Sequence, residues 1–324
     1  MSSSKQIAAR HLEGISATMA AVIVGVSPFK SAFELWCEFE QGARNEVEEN
    51  FAMFRGKMSE AYLIQWFRKQ NKLRCRRPKS TLDPDFAIST DVYGFPMNCL
   101  LDGRTVDSTG DAAIEVKTGS HWVAHEWLYE DDEDDSANDK MPLHYFLQCQ
   151  HQLAVTGWEH CYVPAEIGGQ YVQRLVRRDE SVISLLVEKE RYFWTVNVQG
   201  HRPPEVDGSA GTTEAIRARW PRSTPEAIAT VEDPEIERLA ATYQQQGTLL
   251  TNMKKERDGV GNRLRVLLED REALIAGGYK VTWKSFEKKQ FDLDAFRAAH
   301  PVLAQEFTVE KTQRPLKVTE MKEG

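Results

Sequence analysis

Asp102 and the run Glu115-Val116-Lys117 have residue types and a spacing that can do chemistry together. Between them Asp107-Ser108-Thr109-Gly110 has the composition of a turn, so residues 97–106 and 112–118 are expected as two strands of a hairpin. With Ser108 and Thr109 at the tip, Asp102 falls opposite Glu115, and directly opposed side chains share a face about 5 Å apart. Side chains alternate along a strand, so Lys117 joins that face while Ile114 and Val116 turn toward the core. A slip of one residue would exchange the faces, so everything here depends on register. Two carboxylates this close repel one another, and a divalent cation relieves the repulsion; oxygen-only ligands favour Mg²⁺ or Mn²⁺ over zinc. The nearby ammonium would orient or help deprotonate an attacking water, or steady a pentacoordinate phosphate, while the cation serves as Lewis acid and template. That is the chemistry of phosphodiester hydrolysis. An ordinary cross-strand charge group would use the same residue types.

Neighbouring segments supply more polar groups. A helix expected over 58–69, after Phe54-Arg55-Gly56, places Glu60 where it could add a carboxylate from above. A second helix, expected over 143–156, carries Tyr145, Gln148, Gln150 and Gln152. Spacings of three and four put Tyr145, Gln148 and Gln152 on one face, where side-chain amides suit phosphate or water; a solvent-facing stripe is the plain alternative. His121 and His125 lack a third ligand at metal-binding spacing and read as surface histidines. Trp122, Trp127 and Tyr129 could stack on bases, although packing is the simpler role. Ser27-Pro28 has the form of a helix start, with Ser27 as cap. There is no glycine-rich P-loop, which argues against ATP-driven unwinding.

These elements, helix–strands–helix–strands–helix, describe an α/β fold around one mixed sheet. Residues 1–200 hold them. Residues 201–232, rich in Pro, Gly, Ser and Thr, read as a linker or surface loop. Residues 233–324 form an extension. There Ile236, Leu239, Tyr243, Leu250, Met253, Val260, Leu264, Leu267 and Leu274 follow heptad spacing, the pattern of a long helix or helical hairpin weakened near Gly247, Gly259 and Gly261. A strand at 279–283, a short helix at 292–300 and a basic, strand-like tail are expected beyond it.

Of the 324 residues, 41% are hydrophobic and 28% charged, and the apolar runs are too short for a membrane span. Residues 1–10 lack the pattern of a secretory signal. Five scattered cysteines without a C-x-x-C pair argue against a zinc site or a disulfide framework, and a reducing cytoplasm fits them. The net charge of −8 speaks against a polyanion partner, but Arg68, Lys69, Lys72, Arg74, Arg76, Arg77 and Lys79 form a basic stretch, as do Arg174, Arg177 and Arg178. The acidic run at 130–135 reads as a solvated loop.

Several segments in order resemble one family. G-I-S-A-T at 14–18, V-G-V-S-P-F-K-S at 24–31, F-E-L-W at 33–36, R-G-K-M-S-E at 55–60, L-D-G at 101–103, E-V-K-T at 115–118 and Y-F-L-Q-C-Q at 145–150 are similar to YqaJ-type phage recombinases, in the lambda-exonuclease group of PD-(D/E)XK nucleases. The resemblance covers about residues 10 to 200, and the tail at 291–301 is also similar to extensions of some members. It implies a restriction-endonuclease-like core whose central mixed sheet is flanked by helices, plus a helical C-terminal extension. It further implies metal ligation by Glu60, Asp102, Glu115 and the Val116 carbonyl, with two Mg²⁺ or Mn²⁺ ions, Lys117 as the catalytic lysine and Gln148 as its helical companion. Arg10, Thr18, Tyr145 and Gln150 fall where such proteins meet DNA. The implied activity is digestion of duplex DNA from ends, 5′ to 3′, leaving 3′ single strands for an annealing protein, by ring-shaped trimers in the host cytoplasm. An endonuclease of the same fold and a catalytically silent recombination scaffold are the alternatives. Leu101 stands in place of the motif's proline, and Ser16-Ala17-Thr18-Met19 departs from the family's Gly-Gly-Ser-Asp.

Overall fold

In the computed structural model, which describes residues 12–43, 48–80, 83–127 and 141–321, the chain divides into two units, Met1–Arg219 and Trp220–Gly324. Arg10, Tyr129 and the acidic run at 130–135 lie outside the described residues. The first unit opens with β1 (Ile15–Ser16), a 3₁₀ turn at Ala17–Met19 and α1 (Ala20–Val24). Next comes α2 (Ala32–Gln41), whose cap is Ser31: its hydroxyl accepts from Glu34 N at 3.2 Å, while Ser31 N donates to Glu34 Oε2 at 2.7 Å. The start expected at Ser27-Pro28 is therefore displaced by four residues, because Ser31-x-x-Glu34 closes a reciprocal capping box and Ser27 does not.

α3 (Phe51–Asn71) is capped by Asn50 and begins seven residues before the expected start. β2 (Arg74–Arg76), β3 (Ala87–Thr90), β4 (Met97–Leu100), β5 (Gly103–Asp107), β6 (Gly110–Ile114) and β7 (Lys117–Gly119) follow. α4 (Leu143–Thr156) has the expected bounds, and β8 (His160–Ile167), β9 (Gln170–Arg177) and α5 (Glu180–Tyr192) complete the core. Both hairpin strands are shorter than expected. β4 leaves the hairpin and joins β1 and β3 in a separate three-stranded sheet, and the second strand is interrupted at Glu115-Val116. Among the described residues of the first unit, two sheets thus replace the single one expected.

The larger sheet is mixed: β6 and β7 both run parallel to β8, while β2–β5, β5–β6 and β8–β9 are antiparallel. Asp107 pairs with Gly110 and Gly103 with Ile114, which is the register read from the turn; the ladder stops one pair short of Asp102 and Glu115. β6 and β7 meet β8 with the same offset, Ala113 on Cys161 and Lys117 on Ala165, so they are one strand interrupted without a slip.

Helices cover both faces. Ile114 and Val116 pack with Leu63, Ile64 and Phe67 of α3, and Glu115 and Lys117 point oppositely, toward α4. Gly103 permits the close approach of α3, because a Cβ there would lie 3.1 Å from Ile64 Cδ1 and 3.2 Å from the Arg76 carbonyl oxygen. The main core gathers Ile15, Trp36, Phe86, Met97, Leu101, Leu153, Val163 and Ile183 around α4. Within residues 201–232, expected as linker or loop, α6 (Ala210–Arg219) forms and Thr212 Oγ1 donates to Ser31 Oγ at 2.7 Å.

In the second unit α7 (Pro234–Leu268) is one continuous helix of 35 residues, capped by Asp233 and carrying Pro at its first turn. It runs through Gly247, Gly259 and Gly261, and its heptad stripe is exposed at Ile236, Leu239, Tyr243, Leu250 and Met253. β10 (Ala273–Ala276) and β11 (Tyr279–Thr282) pair across Gly277-Gly278, where Gly277 has φ +56°. α8 (Leu293–Ala299) and α9 (Pro301–Glu306) follow; the expected strand-like tail beyond them has no strand partner among the described residues. No described helix is long and apolar enough to cross a membrane.

Phe67 is wholly buried and joins α3 to Ile114, Val116 and Tyr162. Phe67→Ala is expected to lower stability by about 3–5 kcal/mol, read as a lower urea midpoint in tryptophan fluorescence.

Candidate active site

The strand interruption at Glu115-Val116 builds the site. Glu115 N still donates to Tyr162 O at 2.9 Å, continuing the ladder, but Val116 N turns away and donates to Asp102 Oδ2 at 2.8 Å. This one hydrogen bond fixes both halves of the site, because it ties the residue before β5 to the residue before β7. On the α4 side, Glu115 is only 4% exposed. Its Oε1 accepts from Lys117 Nζ at 2.5 Å and from Gln148 Nε2 at 2.6 Å, and its Oε2 accepts from Gln152 Nε2 at 2.6 Å. Lys117 Nζ also donates to Gln148 Oε1 at 2.9 Å, and lies 4.5 Å from the centre of the Tyr145 ring. Gln148 therefore donates to the carboxylate through its nitrogen and accepts from the ammonium through its oxygen, the two roles a side-chain amide combines.

The electrostatics follow. Burial works against the Lys117 charge, but Glu115, Asp102 and the hydrogen bond to Glu115 outweigh it and hold the ammonium above the ordinary lysine range. Lys117 is thus a firmly held cation. Burial, reinforced by the Glu115 charge, pushes the half-buried Asp102 well above the ordinary carboxylate range, with Lys117 opposing. Glu60, half-buried on α3, is raised by burial and by Glu115, against the pull of Arg77 and Lys57. The three carboxylates feel one another from both sides of the sheet. Among the described residues no three His, Cys, Asp or Glu side chains form a ready metal-ligand group. The donor chemistry nonetheless suits a hard cation: burial, and after it mutual repulsion, raises Asp102 and Glu60, and a cation relieves both.

Most of the expected residues converge. Asp102, Glu115, Lys117, Tyr145 and Gln148 meet here, with Val116 at the interruption, while Glu60, on α3, is joined to them only through the effect of charge. Thr18 is exposed on the 3₁₀ turn beside α4, with Oγ1 3.3 Å from Ser16 Oγ. Gln150 is a correction. It is wholly buried on the far side of α4, where Nε2 donates to Arg177 O at 2.7 Å and Oε1 accepts from Asp179 N at 3.1 Å, so it splices β9 to α5 and does not face DNA. His121 and His125 are exposed, Trp122 is 85% exposed and Trp127 is buried.

Gln152, expected on the face of Gln148, holds the second oxygen of Glu115. One residue was missed. His144 lies against Tyr145, ring centres 4.0 Å apart, and burial together with the Lys117 charge lowers its pKa; nothing in the sequence marked it.

The class defined by this arrangement is an α/β fold: a central mixed sheet flanked by helices, with carboxylates and a lysine gathered where one strand is interrupted. Residues 8–159, the region where the ordered motifs lie, match the model of the YqaJ-like viral recombinase domain. YqaJ of Bacillus subtilis is 26% identical over 296 residues, covering 89% of this chain and 86% of its own. Among solved structures, the alkaline exonuclease LHK-Exo from Laribacter hongkongensis is 18% identical with a TM-score of 0.45, covering 61% of this chain and 93% of its own. A phage-related exonuclease from Haemophilus somnus is 11% identical with a TM-score of 0.42, covering 58% and 96%.

A carboxyl raised by folding favours its protonated form, so folding loses stability as pH rises from the ordinary aspartate range through the raised value. An asparagine in its place would keep an acceptor for Val116 N without that cost. In EDTA, Asp102→Asn is expected to melt higher than wild type at neutral pH, the difference vanishing toward about pH 4. Thermal melts across pH check both the sign and the window.

Proposed function

We propose that this protein is a Mg²⁺-dependent deoxyribonuclease of phage-type homologous recombination, hydrolysing duplex DNA from its ends. The reading rests above all on the Glu115–Lys117–Gln148 triangle beside Asp102, set at the interruption of a strand whose register is otherwise unbroken. The YqaJ-like viral recombinase domain, which spans every residue of that triangle, supports it.

Charge balance supports the metal. Asp102 and Glu115 share the one ammonium of Lys117, and Glu60 adds a third carboxylate, with Arg77 and Lys57 as its own cations, so the carboxylates around Lys117 outnumber it before any phosphate arrives. A phosphodiester adds further negative charge, which makes additional positive charge necessary. Asp102, Glu115, the Val116 carbonyl and Glu60 would hold Mg²⁺ or Mn²⁺, as one or two ions. When bound, the metal supplies Lewis acidity and a template for in-line displacement.

The chain's own residues do the rest. Lys117, held as an ammonium, stabilises charge on the phosphoryl oxygens. Gln148 fixes the direction of its Nζ, and Gln152 anchors Glu115. Tyr145 lies under the ammonium, and the exposed Thr18 is placed to contact a backbone phosphate. Digestion from 5′ ends would leave 3′ single strands for an annealing protein, in a reducing cytoplasm and within a ring of three copies. Residues 1–200 would form the nuclease core and 233–324 its extension, joined through 201–232.

Lys117→Ala is expected to cut hydrolysis by at least about a hundredfold while leaving duplex binding in EDTA within a few-fold of wild type. Cleavage near the wild-type rate would remove Lys117 from the mechanism. Polarity is read from linear duplex labelled separately at its 5′ and 3′ ends, alongside closed circular DNA. Loss of the 5′ label as mononucleotides with Mg²⁺, none with EDTA and intact circles are the expected results; cut circles would make the enzyme an endonuclease.

A further inference from the structure

α3 carries a second surface that takes no part in holding Glu115. Tyr62 and Trp66 are one helical turn apart, and Lys69 continues the stripe. Unlike Phe67 beside them, which is wholly buried, Tyr62 and Trp66 are 46% and 41% exposed. They line a groove of about 900 Å³ between α3 and the β8–β9 hairpin. Across it Tyr171 meets the Trp66 ring edge-on at 6.3 Å, and the Tyr62 hydroxyl donates to Glu166. The groove therefore has an aromatic floor with one acidic acceptor.

Its rim has the opposite charge. Lys69 Nζ sits 5.2 Å from the Trp66 ring centre, and Arg68 lies beside it. Neither cation has a carboxylate partner among the described residues, and Lys72 and Arg74 extend the basic stretch. In a chain of net charge −8 this is a local reversal of sign. Exposed rings below and unpaired cations above match a polymer with planar faces on one side and anions on the other. A duplex keeps its base faces stacked inside and cannot use the floor. A single strand can.

We propose that this groove is a binding track for single-stranded nucleic acid, with bases against Trp66 and Tyr62 and phosphates on Arg68 and Lys69. It deepens the proposed nuclease reading, which supplies the source of single strands, and the groove lies along the helix that also carries Glu60, on a different face. Glu166 keeps phosphates off the inner wall and offers an acceptor to base amino groups.

The test needs no cleavage, so a failure of the nuclease reading leaves it intact. The full-length protein in EDTA is titrated into fluorescein-labelled oligo(dT) and followed by anisotropy. Trp66→Ala is expected to weaken binding about tenfold, and Trp66→Phe to restore most of it. Arg68→Ala with Lys69→Ala is expected to reduce the salt slope of log affinity by about 1.4, roughly 0.7 for each phosphate left without its cation. Sedimentation of each variant accompanies the titrations. Three results would overturn the proposal: no oligo(dT) binding by wild type, unchanged binding by Trp66→Ala, or dissociation of an oligomer by Trp66→Ala, which would make the groove an interface with a second copy.

Discussion

A carboxylate taken almost wholly out of water must be met by donors that the protein itself supplies, and Glu115 imposes that requirement on everything around it. Its two oxygens take one ammonium and two amides, from β7 and from two successive turns of α4. Meeting them together requires α4 at a fixed height and rotation over the sheet. It also requires the chain to leave the ladder after Glu115, since an uninterrupted strand would spend Val116 N on a neighbouring strand and leave Asp102 without its donor. The interruption is thus part of how the charge is buried.

Other buried polar contacts hold the same geometry from further out. His151, on the opposite flank of α4, lies 2.7 Å from Glu190 of α5 and 3.1 Å from the Asn98 carbonyl oxygen of β4, so α4 is pinned to a helix and a strand that do not touch the site. At the far end of the β5–β6 hairpin, Asp107 accepts from Thr109 N and from the Tyr162 hydroxyl and lies 2.7 Å from His160 Nε2. Burial opposes its charge, but those hydrogen bonds prevail and hold its pKa low. A hairpin locked to β8 at its tip cannot slide, and a hairpin that cannot slide keeps Asp102 beside Val116.

What the sequence disclosed follows the range of the forces involved. The hairpin register was legible because Asp107–Gly110 turn chemistry and two-residue alternation are local, and both agree. The face shared by Tyr145, Gln148 and Gln152 was legible for the same reason. The strand interruption was not, because it is made by a side chain fourteen residues away taking a backbone donor. Gln150 was misplaced because an amide on a core-facing turn looks like any other amide until its partners, Arg177 O and Asp179 N, are known. The Ser31 cap is a different case, since Ser31-x-x-Glu34 stood in the sequence beside the competing Ser27-Pro28 start.

The acidic balance of the chain looks like an objection to a polyanionic substrate, and the structure shows why it is a weak one. Screening limits each surface charge to about 8–10 Å at ordinary ionic strength, so an approaching phosphate responds to the patch it meets and not to the sum over 324 residues. One basic cluster lies at the end of α3, the helix that also carries Glu60, and in β2 after it, while several carboxylates are already committed to structure: Asp107, Glu34 and Asp179 cap turns and helices. One helix thus carries a carboxylate toward the site at its middle and unpaired cations at its end. That separation lets the proposed site be acidic enough to hold a cation while the approach to it stays attractive to DNA.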